Sequence, residues 1–264
     1  MSFPYKSVLL VGATSGIGAG MADKLVGVGA KVIAVGRRQD RLDSFVEKHG
    51  DPSKAAAIRF DVTDTEGMDA FVQKVLTEHP DLDCVFLNSG VQSMTRLSRP
   101  AEFDLAAFHN EINVNFSSLV NLMIKFLPHL QAKTTPTGLI VTGTHLGVVP
   151  AVTLAAYSAS KAALTSFVDC LREQNRHKPT KIVEIYPPVV QSELHDYAGP
   201  RGRTYGMPLD EFTERAYAEL LTGDELIVID SIAIEPRETY MKLVEERRRI
   251  FTKLSGVMLK HFEL

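Results

Sequence analysis

The sequence predicts an α/β protein with a doubly wound parallel sheet, and two observations support this fold class. Short β-prone apolar runs alternate along the chain with longer segments whose apolar residues recur at helical spacing. The first run, Val8 to Val11, leads into a turn with glycines at positions 12, 16 and 18, and a helical pattern follows. Strand, glycine turn and helix in this order are typical of folds that bind a dinucleotide at the carboxyl ends of parallel strands.

Length and composition fit one globular domain over residues 1–264. The chain has 264 residues, of which 45% are hydrophobic and 23% charged, enough for the core of a single large α/β domain. The formal net charge of −3 means that the chain has no excess of positive charge with which to bind nucleic acid or an anionic membrane. The two cysteines, Cys84 and Cys170, lie in apolar segments and are expected to be buried free thiols.

The start of the chain carries no recognisable targeting signal. Residues Met1 to Lys6 lead directly into the first apolar run, without a basic region, a long apolar stretch and a cleavage site. No run approaches the ~18 apolar residues that a membrane-spanning helix needs. We therefore expect a cytoplasmic protein with no membrane partner. We also expect no metal, because no His, Cys and carboxylate residues have metal-ligand spacing.

The glycine turn is a candidate site for a pyrophosphate. Its residues are Gly12, Thr14, Ser15, Gly16, Ile17 and Gly18. Glycines let backbone N–H groups approach a phosphate at a helix N-terminus, where the helix dipole favours negative charge. The spacing G-x-x-x-G-x-G differs from the commoner G-x-G-x-x-G. Glycines also serve tight turns and close packing, so the turn alone leaves both interpretations open.

The end of the second predicted strand, Lys31 to Val35, indicates which cofactor would bind. In a dinucleotide-binding sheet this strand end faces the adenosine ribose, where an acidic residue would accept hydrogen bonds from a free 2′-hydroxyl. Here Gly36 is followed by Arg37 and Arg38, and arginine suits a 2′-phosphate through bidentate, charge-assisted bonds. The sequence therefore favours NADP(H) over NAD(H). The alternative is that both arginines belong to a solvated loop.

Several later strands also end in polar residues. Strands are predicted at 57–60, 85–87, 139–142 and 181–185, and the first three lead into Asp61-Val62, Asn88-Ser89-Gly90 and Thr144-His145. Helices are predicted between them at about 66–78, 102–133 and 155–176, with Pro128 bending or ending the second. The carboxyl ends of parallel strands meet at one edge of a sheet, so these side chains should share a rim with the glycine turn.

A candidate acid/base pair lies on the third of these helices. Tyr157 and Lys161 are four residues apart, a spacing that puts both side chains on one helix face. A nearby ammonium would favour the phenolate and lower the pKa of Tyr157 towards a value useful for catalysis. Taken alone, the spacing more often reflects a half-buried helix with a lysine that reaches solvent. The polar strand ends favour the catalytic interpretation.

The segment that follows the sixth predicted strand is polar and rich in glycine and proline. Residues 191–208 are expected to form a mobile loop over the site. His195, Tyr197 and Tyr205 on this loop are candidate substrate contacts, with surface positions equally compatible. His145 is interpreted as lining the substrate pocket, with a structural role as the alternative. A helix at 209–221, a strand at 226–229 and an amphipathic helix at 236–254 complete the prediction.

From about Val8 to Ser192 the chain resembles the short-chain dehydrogenase/reductase family in its compact single-domain form. The resemblance implies a Rossmann-type, three-layer α/β/α fold. It also implies the catalytic residues Asn115, Thr144, Tyr157 and Lys161, with threonine where the family usually has serine. The cofactor contacts expected from the motifs and strand ends are Gly12, Thr14, Ser15, Gly16, Ile17, Gly18, Arg37, Arg38, Asp61, Val62, Asn88, Ser89, Gly90, Tyr157, Lys161, Pro187, Val190 and Ser192.

Besides Thr144, three positions of this chain depart from the family's motifs. Ser89 replaces the alanine of the N-A-G element, and Pro188 and Ser192 replace glycine and threonine in the P-G-x-x-x-T element. The Pro187-Pro188 pair, together with the segment Met207 to Phe212, resembles more narrowly the oxidoreductases named for the D-alanyl-teichoic-acid operon.

The resemblance implies hydride transfer between nicotinamide C4 and a carbonyl or carbinol carbon of a small molecule, as in a carbonyl reductase or alcohol dehydrogenase. Tyr157 would donate the proton and Thr144 would bond the carbonyl oxygen. Lys161 would lower the pKa of Tyr157 and hold the nicotinamide ribose, while Asn115 would anchor a water.

Two alternatives of a different class stay open. One is an NADP(H)-binding regulatory or scaffold protein without turnover, since a protein can keep an enzyme's fold without its catalytic activity. The other is an isomerase or lyase on the same scaffold, although the region after Ser192 leaves little room for a large sugar-nucleotide domain. Self-association of the helices around Leu119 to Leu130 and Leu164 to Leu171 would give a homodimer or homotetramer.

Overall fold

A parallel sheet forms the centre of the protein, in a computed structural model that describes residues 2–232 and 235–262. Its strands are β1 (Ser7–Val11), β2 (Lys31–Gly36), β3 (Ala55–Arg59), β4 (Cys84–Leu87), β5 (Thr137–Thr142), β6 (Thr180–Tyr186) and β7 (Leu226–Val228). Within the described residues the strand order is β3-β2-β1-β4-β5-β6-β7. The order reverses between β1 and β4, and such a reversal opens a crevice at the carboxyl ends of the strands.

Helices cover both faces of the sheet. They are α1 (Gly16–Gly27), α2 (Gln39–His49), α3 (Met68–Glu78), α4 (Leu105–Ile112), α5 (Ser118–Gln131), α6 (Ala155–Gln174), α7 (Leu209–Leu220) and α8 (Arg237–Phe262). In β1, Leu9 and Val11 pack with α3, α5 and α6, whereas Val8 and Leu10 pack with α1, α2 and α7. Alternate residues of a strand point to opposite faces, so two cores flank one sheet. This arrangement confirms the predicted three-layer, doubly wound fold.

The segment predicted as one helix over 102–133 is divided in the structure. Helices α4 and α5 are separated by a π-helical turn, Asn113–Ser117, in which the amide of Ser118 donates to the carbonyl of Asn113. Pro128 lies inside α5, one turn before its end, and does not break it. The π turn is a finding that the apolar periodicity did not predict.

Three further expectations are corrected. The loop over 191–208 contains short 3₁₀ segments between Glu193 and Thr204, interrupted at Gly199, where φ is +72°. The last helix continues to Phe262, beyond the predicted end at 254. Cys170 is exposed on α6, whereas Cys84 is buried as expected.

The apolar residues that suggested a subunit interface are buried within the chain itself. Leu119, Leu130 and Leu164 belong to the core on the α5 and α6 side of the sheet, and none has accessible surface. These residues therefore give no support to the predicted homo-oligomer. Among the described residues no helix is both long and apolar enough to cross a membrane.

Candidate active site

A cleft of about 1400 Å³ opens at the carboxyl edge of the sheet. Loops after β1, β2, β4, β5 and β6 surround it, as the switch between β1 and β4 requires. The predicted residues on its wall include Gly12, Arg37, Asp61, Asn88, Thr144, Tyr157, Lys161 and Ser192. Of the predicted site residues, Gly18 and Asn115 lie behind the wall. The sequence thus predicted most of the lining, because strand ends in a parallel sheet share one edge.

The glycine turn has the geometry needed to bind a phosphate. Gly12 has φ +88°, and a Cβ there would lie 2.6 Å from the amide nitrogen of Ser89. A Cβ on Gly18 would lie 2.0 Å from the carbonyl oxygen of Gly12, so the close approach of α1 to the turn needs glycine. Ser15 precedes α1 without using its side chain as a cap, and the first turn of α1 has no acidic residue. These features fit the pyrophosphate of a dinucleotide.

The two arginines after β2 differ in their surroundings. The side chain of Arg37 is 63% exposed, and its Nη1 atom lies 3.7 Å from Oδ2 of Asp61. Arg38 instead donates from Nε and Nη2 to Oγ1 of Thr14, at 3.2 and 3.0 Å, and from Nη1 to Oε2 of Glu193 at 2.6 Å. Arg37 is therefore the freer cation at the edge of the cleft. Glu193 was not predicted as a site residue.

Tyr157 and Thr144 meet at the inner end of the cleft. Both side chains are buried, and the Thr144 hydroxyl is close enough to the phenol to lower the pKa of Tyr157. Thr144 also accepts a 3.3 Å hydrogen bond from the amide of Leu146, which fixes the rotamer of its hydroxyl group. A hydroxyl beside a phenol is an arrangement that can bind one oxygen of a substrate from two sides.

Lys161 lies on the same face of α6 as Tyr157. Its Nζ atom is 5.9 Å from the centre of the Tyr157 ring and donates a 2.8 Å hydrogen bond to the carbonyl oxygen of Thr142. Burial lowers the pKa of Lys161 to about 8, while the charge of Glu184 raises it.

The expected lowering of the Tyr157 pKa is wrong for this arrangement. Burial raises the pKa of the phenol, and the neighbouring Thr144 hydroxyl lowers it by less. The charge of Glu111 raises it further. Desolvation dominates because the phenol is enclosed by protein, so Tyr157 is a protonated phenol at neutral pH.

Asn115 is fully buried in the π turn and clamps the segment after β4. Its Oδ1 accepts from the amide of Val91 at 2.8 Å, and its Nδ2 donates to the carbonyl of Val91 at 2.9 Å. The same Nδ2 donates to Oγ of Ser160 at 3.1 Å. Asn115 therefore ties the loop that borders the cleft to the helix that carries Tyr157 and Lys161.

Two buried carboxyl groups near the site were missed by the sequence prediction. Glu184 on β6 has no accessible surface, and burial raises its pKa to about 7. Glu111 on α4 is also buried, accepts a hydrogen bond from Ser93 and has no partner for its Oε2 atom. A glutamate within the apolar strand 180–186 was the one sequence signal that could have identified Glu184.

The predicted substrate residues border the cleft in different ways. His145 touches the cleft but is buried: its Nε2 donates to the carbonyl of Ile229 at 3.1 Å, and its ring lies 4.6 Å from that of Tyr240. These contacts fit a structural role for His145 better than the predicted role of lining the substrate pocket. Tyr205 is well exposed, and burial lowers the pKa of His195.

Among the described ranges, no three His, Cys, Asp or Glu side chains cluster in a way that could hold a metal ion.

A family model described as short chain dehydrogenase matches residues 6–201 of this chain. The chain belongs to the short-chain dehydrogenase family. Within this family it is 30% identical to the "uncharacterized oxidoreductase DltE" of Bacillus subtilis (strain 168) over 252 residues, which covers 93% of this chain and 98% of DltE. This similarity confirms the resemblance to the oxidoreductases of the D-alanyl-teichoic-acid operon.

Solved short-chain dehydrogenases share the fold. A short-chain dehydrogenase from Sphingobium yanoikuyae, in complex with NADPH, superposes with a TM-score of 0.79 at 20% identity and covers 94% of this chain and 95% of its own. A family member from Burkholderia phymatum, in complex with NAD, gives a TM-score of 0.77 at 17% identity and covers 86% and 90%. Short-chain dehydrogenases of this shape thus include proteins bound to either nicotinamide cofactor.

Proposed function

We propose that this chain is an NADP(H)-dependent oxidoreductase that transfers a hydride between nicotinamide and the carbonyl or carbinol carbon of a small molecule. The observation that carries the proposal is that the buried side chains of Thr144 and Tyr157 line one cleft together, with Lys161 beside Tyr157. The same cleft begins at the glycine turn and at Arg37. A phosphate site and an acid thus lie on one wall of a single cleft.

The raised pKa of Tyr157 suits reduction of a carbonyl. NADP(H), when bound, supplies or accepts the hydride at nicotinamide C4. Tyr157 holds the proton at its phenol oxygen and gives it to the carbonyl oxygen, while the Thr144 hydroxyl bonds the same oxygen and orients it. In the oxidative direction the proton returns to Tyr157. Burial of both groups excludes water, which strengthens these hydrogen bonds.

Lys161 and Asn115 are proposed to support this acid. With a pKa of about 8, Lys161 is charged in most molecules at pH 7 and can donate to ribose hydroxyls in the cleft. Asn115 is proposed to fix the backbone around Val91, so that the cleft keeps its width when ligands exchange.

The preference for NADP(H) rests on residues of this chain rather than on its relatives. No acidic residue occupies positions 36–38, where a carboxylate would accept from a ribose 2′-hydroxyl. Arg37 instead projects an exposed guanidinium at the edge of the cleft. A guanidinium attracts the 2′-phosphate and offers no acceptor to a free hydroxyl.

The proposal is tested by following NADPH and NADH consumption in parallel with a panel of ketones, aldehydes and quinones. Turnover with NADPH is expected to fall by about 100-fold or more in Tyr157→Phe, which removes the proton but keeps the ring. NADPH binding should survive in this variant. Binding of NADPH without turnover on any panel member would instead favour a cofactor-binding regulatory protein, and faster turnover with NADH would contradict the cofactor preference.

A further inference from the structure

Glu193, the first residue after Ser192 in the loop over the cleft, lies among three arginines. Its Oε2 atom accepts from Nη1 of Arg38 at 2.6 Å, and its Oε1 atom lies 3.2 Å from Nη2 of Arg41 and 4.0 Å from Nη1 of Arg203. The hydrogen bond from Arg38 and the nearby positive charges lower the pKa of Glu193. The side chain is 23% exposed, so water screens these contacts only in part.

Arg38 is thereby held between the glycine turn and the loop that carries Glu193. Two of its nitrogens donate to the hydroxyl of Thr14 in the glycine turn, and its third donates to Glu193. Every guanidinium nitrogen of Arg38 therefore has an acceptor before any cofactor enters. A phosphate that approaches Nη1 of Arg38 comes close to the Glu193 carboxylate, and the repulsion between the two anions opposes its binding.

Arg37 lacks such a competitor at close range. Its nearest carboxylate oxygen, on Asp61, lies 3.7 Å away, and the guanidinium is largely exposed. A 2′-phosphate would thus find one available arginine and one that is already paired. The two arginines differ because Glu193 pairs with Arg38 and not with Arg37. Glu193 can therefore affect how a phosphate binds, which neither the glycine turn nor the strand ends imply.

We propose that Glu193 is a specificity-determining residue that competes with the 2′-phosphate of the cofactor for Arg38, and so limits the preference for NADP(H) over NAD(H). The inference rests on the proposed NADP(H) preference. A cofactor without the phosphate leaves the Arg38–Glu193 pair intact. A phosphorylated cofactor displaces Glu193 from Arg38, and the loop that carries His195 and Tyr197 then loses one of the two ion pairs that Glu193 makes with Arg38 and Arg41.

The test compares binding of 2′,5′-ADP and 5′-AMP, which differ only in the 2′-phosphate, to the purified protein by calorimetry at one fixed salt concentration. Glu193→Gln should tighten 2′,5′-ADP by about fivefold to tenfold and leave 5′-AMP within about twofold. Glu193→Asp withdraws the carboxylate by one methylene and should change the ratio in the same direction by less. Thermal unfolding of each variant verifies that it is folded.

A matched control is Glu211→Gln, which removes one negative charge from the same cleft. Glu211 lies on α7, and its Oε1 atom pairs with Nη2 of Arg215 at 2.6 Å. It should change the affinities for both probes by less than about twofold. Equal tightening of both probes by Glu193→Gln would overturn the inference in favour of a general charge effect. Weaker 2′,5′-ADP binding would overturn it too, since Glu193 would then position Arg38 for the phosphate.

A double-variant cycle assigns the effect to Arg38. In an Arg38→Gln background, Glu193→Gln should no longer tighten 2′,5′-ADP, and an undiminished gain would overturn competition at Arg38. The proposed cofactor preference is judged separately by the wild-type protein. Equal wild-type affinities for the two probes would contradict that preference, whereas the inference about Glu193 fails only on the change in their ratio.

Discussion

The hydroxyl of Thr165 donates a 2.8 Å hydrogen bond to Oε1 of Glu184, and Thr165 lies one helical turn after Lys161 on α6. This bond fixes a fully buried carboxyl group behind the wall of the cleft. The groups that face Glu184 are Lys161, Thr165, Asp169 and Arg172 from α6, the Tyr186 hydroxyl from its own strand, and Tyr240 from α8. The charge of Lys161 therefore depends on a carboxyl group that a substrate does not touch.

Glu184→Gln should shift the alkaline limb of the activity profile to lower pH. The ammonium of Lys161 is lost as pH rises through about 8, because burial holds its pKa below the usual value for lysine. Glu184 opposes that effect while it is ionised, so its removal lowers the pKa of Lys161 further. The pH dependence of kcat/KM reports this shift. Thr165→Val, which keeps the carboxyl group, should shift the limb less; an unmoved limb in Glu184→Gln would show that Lys161 titration does not limit activity.

The Thr144 hydroxyl should be needed for turnover, while its methyl group should not. Thr144→Ala removes a donor to the substrate oxygen and should lower kcat by about 100-fold. Thr144→Ser keeps the hydroxyl and should retain most of the activity. Steady-state kinetics, with NADPH affinity measured alongside, separate the chemical step from binding. A fully active alanine variant would remove Thr144 from the mechanism.

Gly18→Ala should destabilise the fold and weaken cofactor binding. The new Cβ would lie 2.0 Å from the carbonyl of Gly12 and 2.7 Å from Nδ2 of Asn88, so the turn or α1 must move. Overpacking of this kind costs about 1–3 kcal/mol in the free energy of unfolding. The matched control is Gly27→Ala in the same helix, where a Cβ meets nothing within 4 Å. It should stabilise the protein by about 0.5–1 kcal/mol. Urea denaturation measures both, and equal effects would contradict the steric argument.

Arg172→Met should be more destabilising than the same change at Arg176, four residues later. Arg172 is buried and donates to Asp169 at 3.0 Å and to the carbonyl of Ile182 at 3.0 Å. Its loss leaves buried acceptors and weakens the compensation of buried Glu184, a cost of about 3–5 kcal/mol. The ion pair of Arg176 with Glu173 is solvent-exposed on the arginine side, so its loss should cost less than about 1 kcal/mol. Chemical denaturation of the two variants provides the comparison.

The sequence predicted the features that depend on local pattern. The β-prone run before Gly12, the arginines after β2 and the spacing of Tyr157 and Lys161 are local signals. Their meeting at one edge follows from parallel strand topology alone. The fold and most of the cleft lining could therefore be inferred without coordinates.

The features that were missed depend on contacts between distant parts of the chain. Glu193 meets Arg38 only because the loop after β6 folds back over the β2 edge, across 155 positions of sequence. The direction of the Tyr157 pKa follows from the extent of burial, which residue spacing does not reveal. Cys170 faces outward because its neighbours Asp169, Leu171 and Arg172 take the buried positions of α6, polar groups included.

The π turn at Asn113–Ser117 makes this stretch intolerant of a change in length. An α-helix advances about 100° per residue, so deleting one residue here would let the chain continue as regular helix and rotate one flank by that angle. Asn115 would then swing away from Val91, or Leu119 and its neighbours would leave the core. A point substitution near the turn keeps the helix register, whereas deletion of a single residue would make it impossible for Asn115 and Leu119 to keep their positions at the same time.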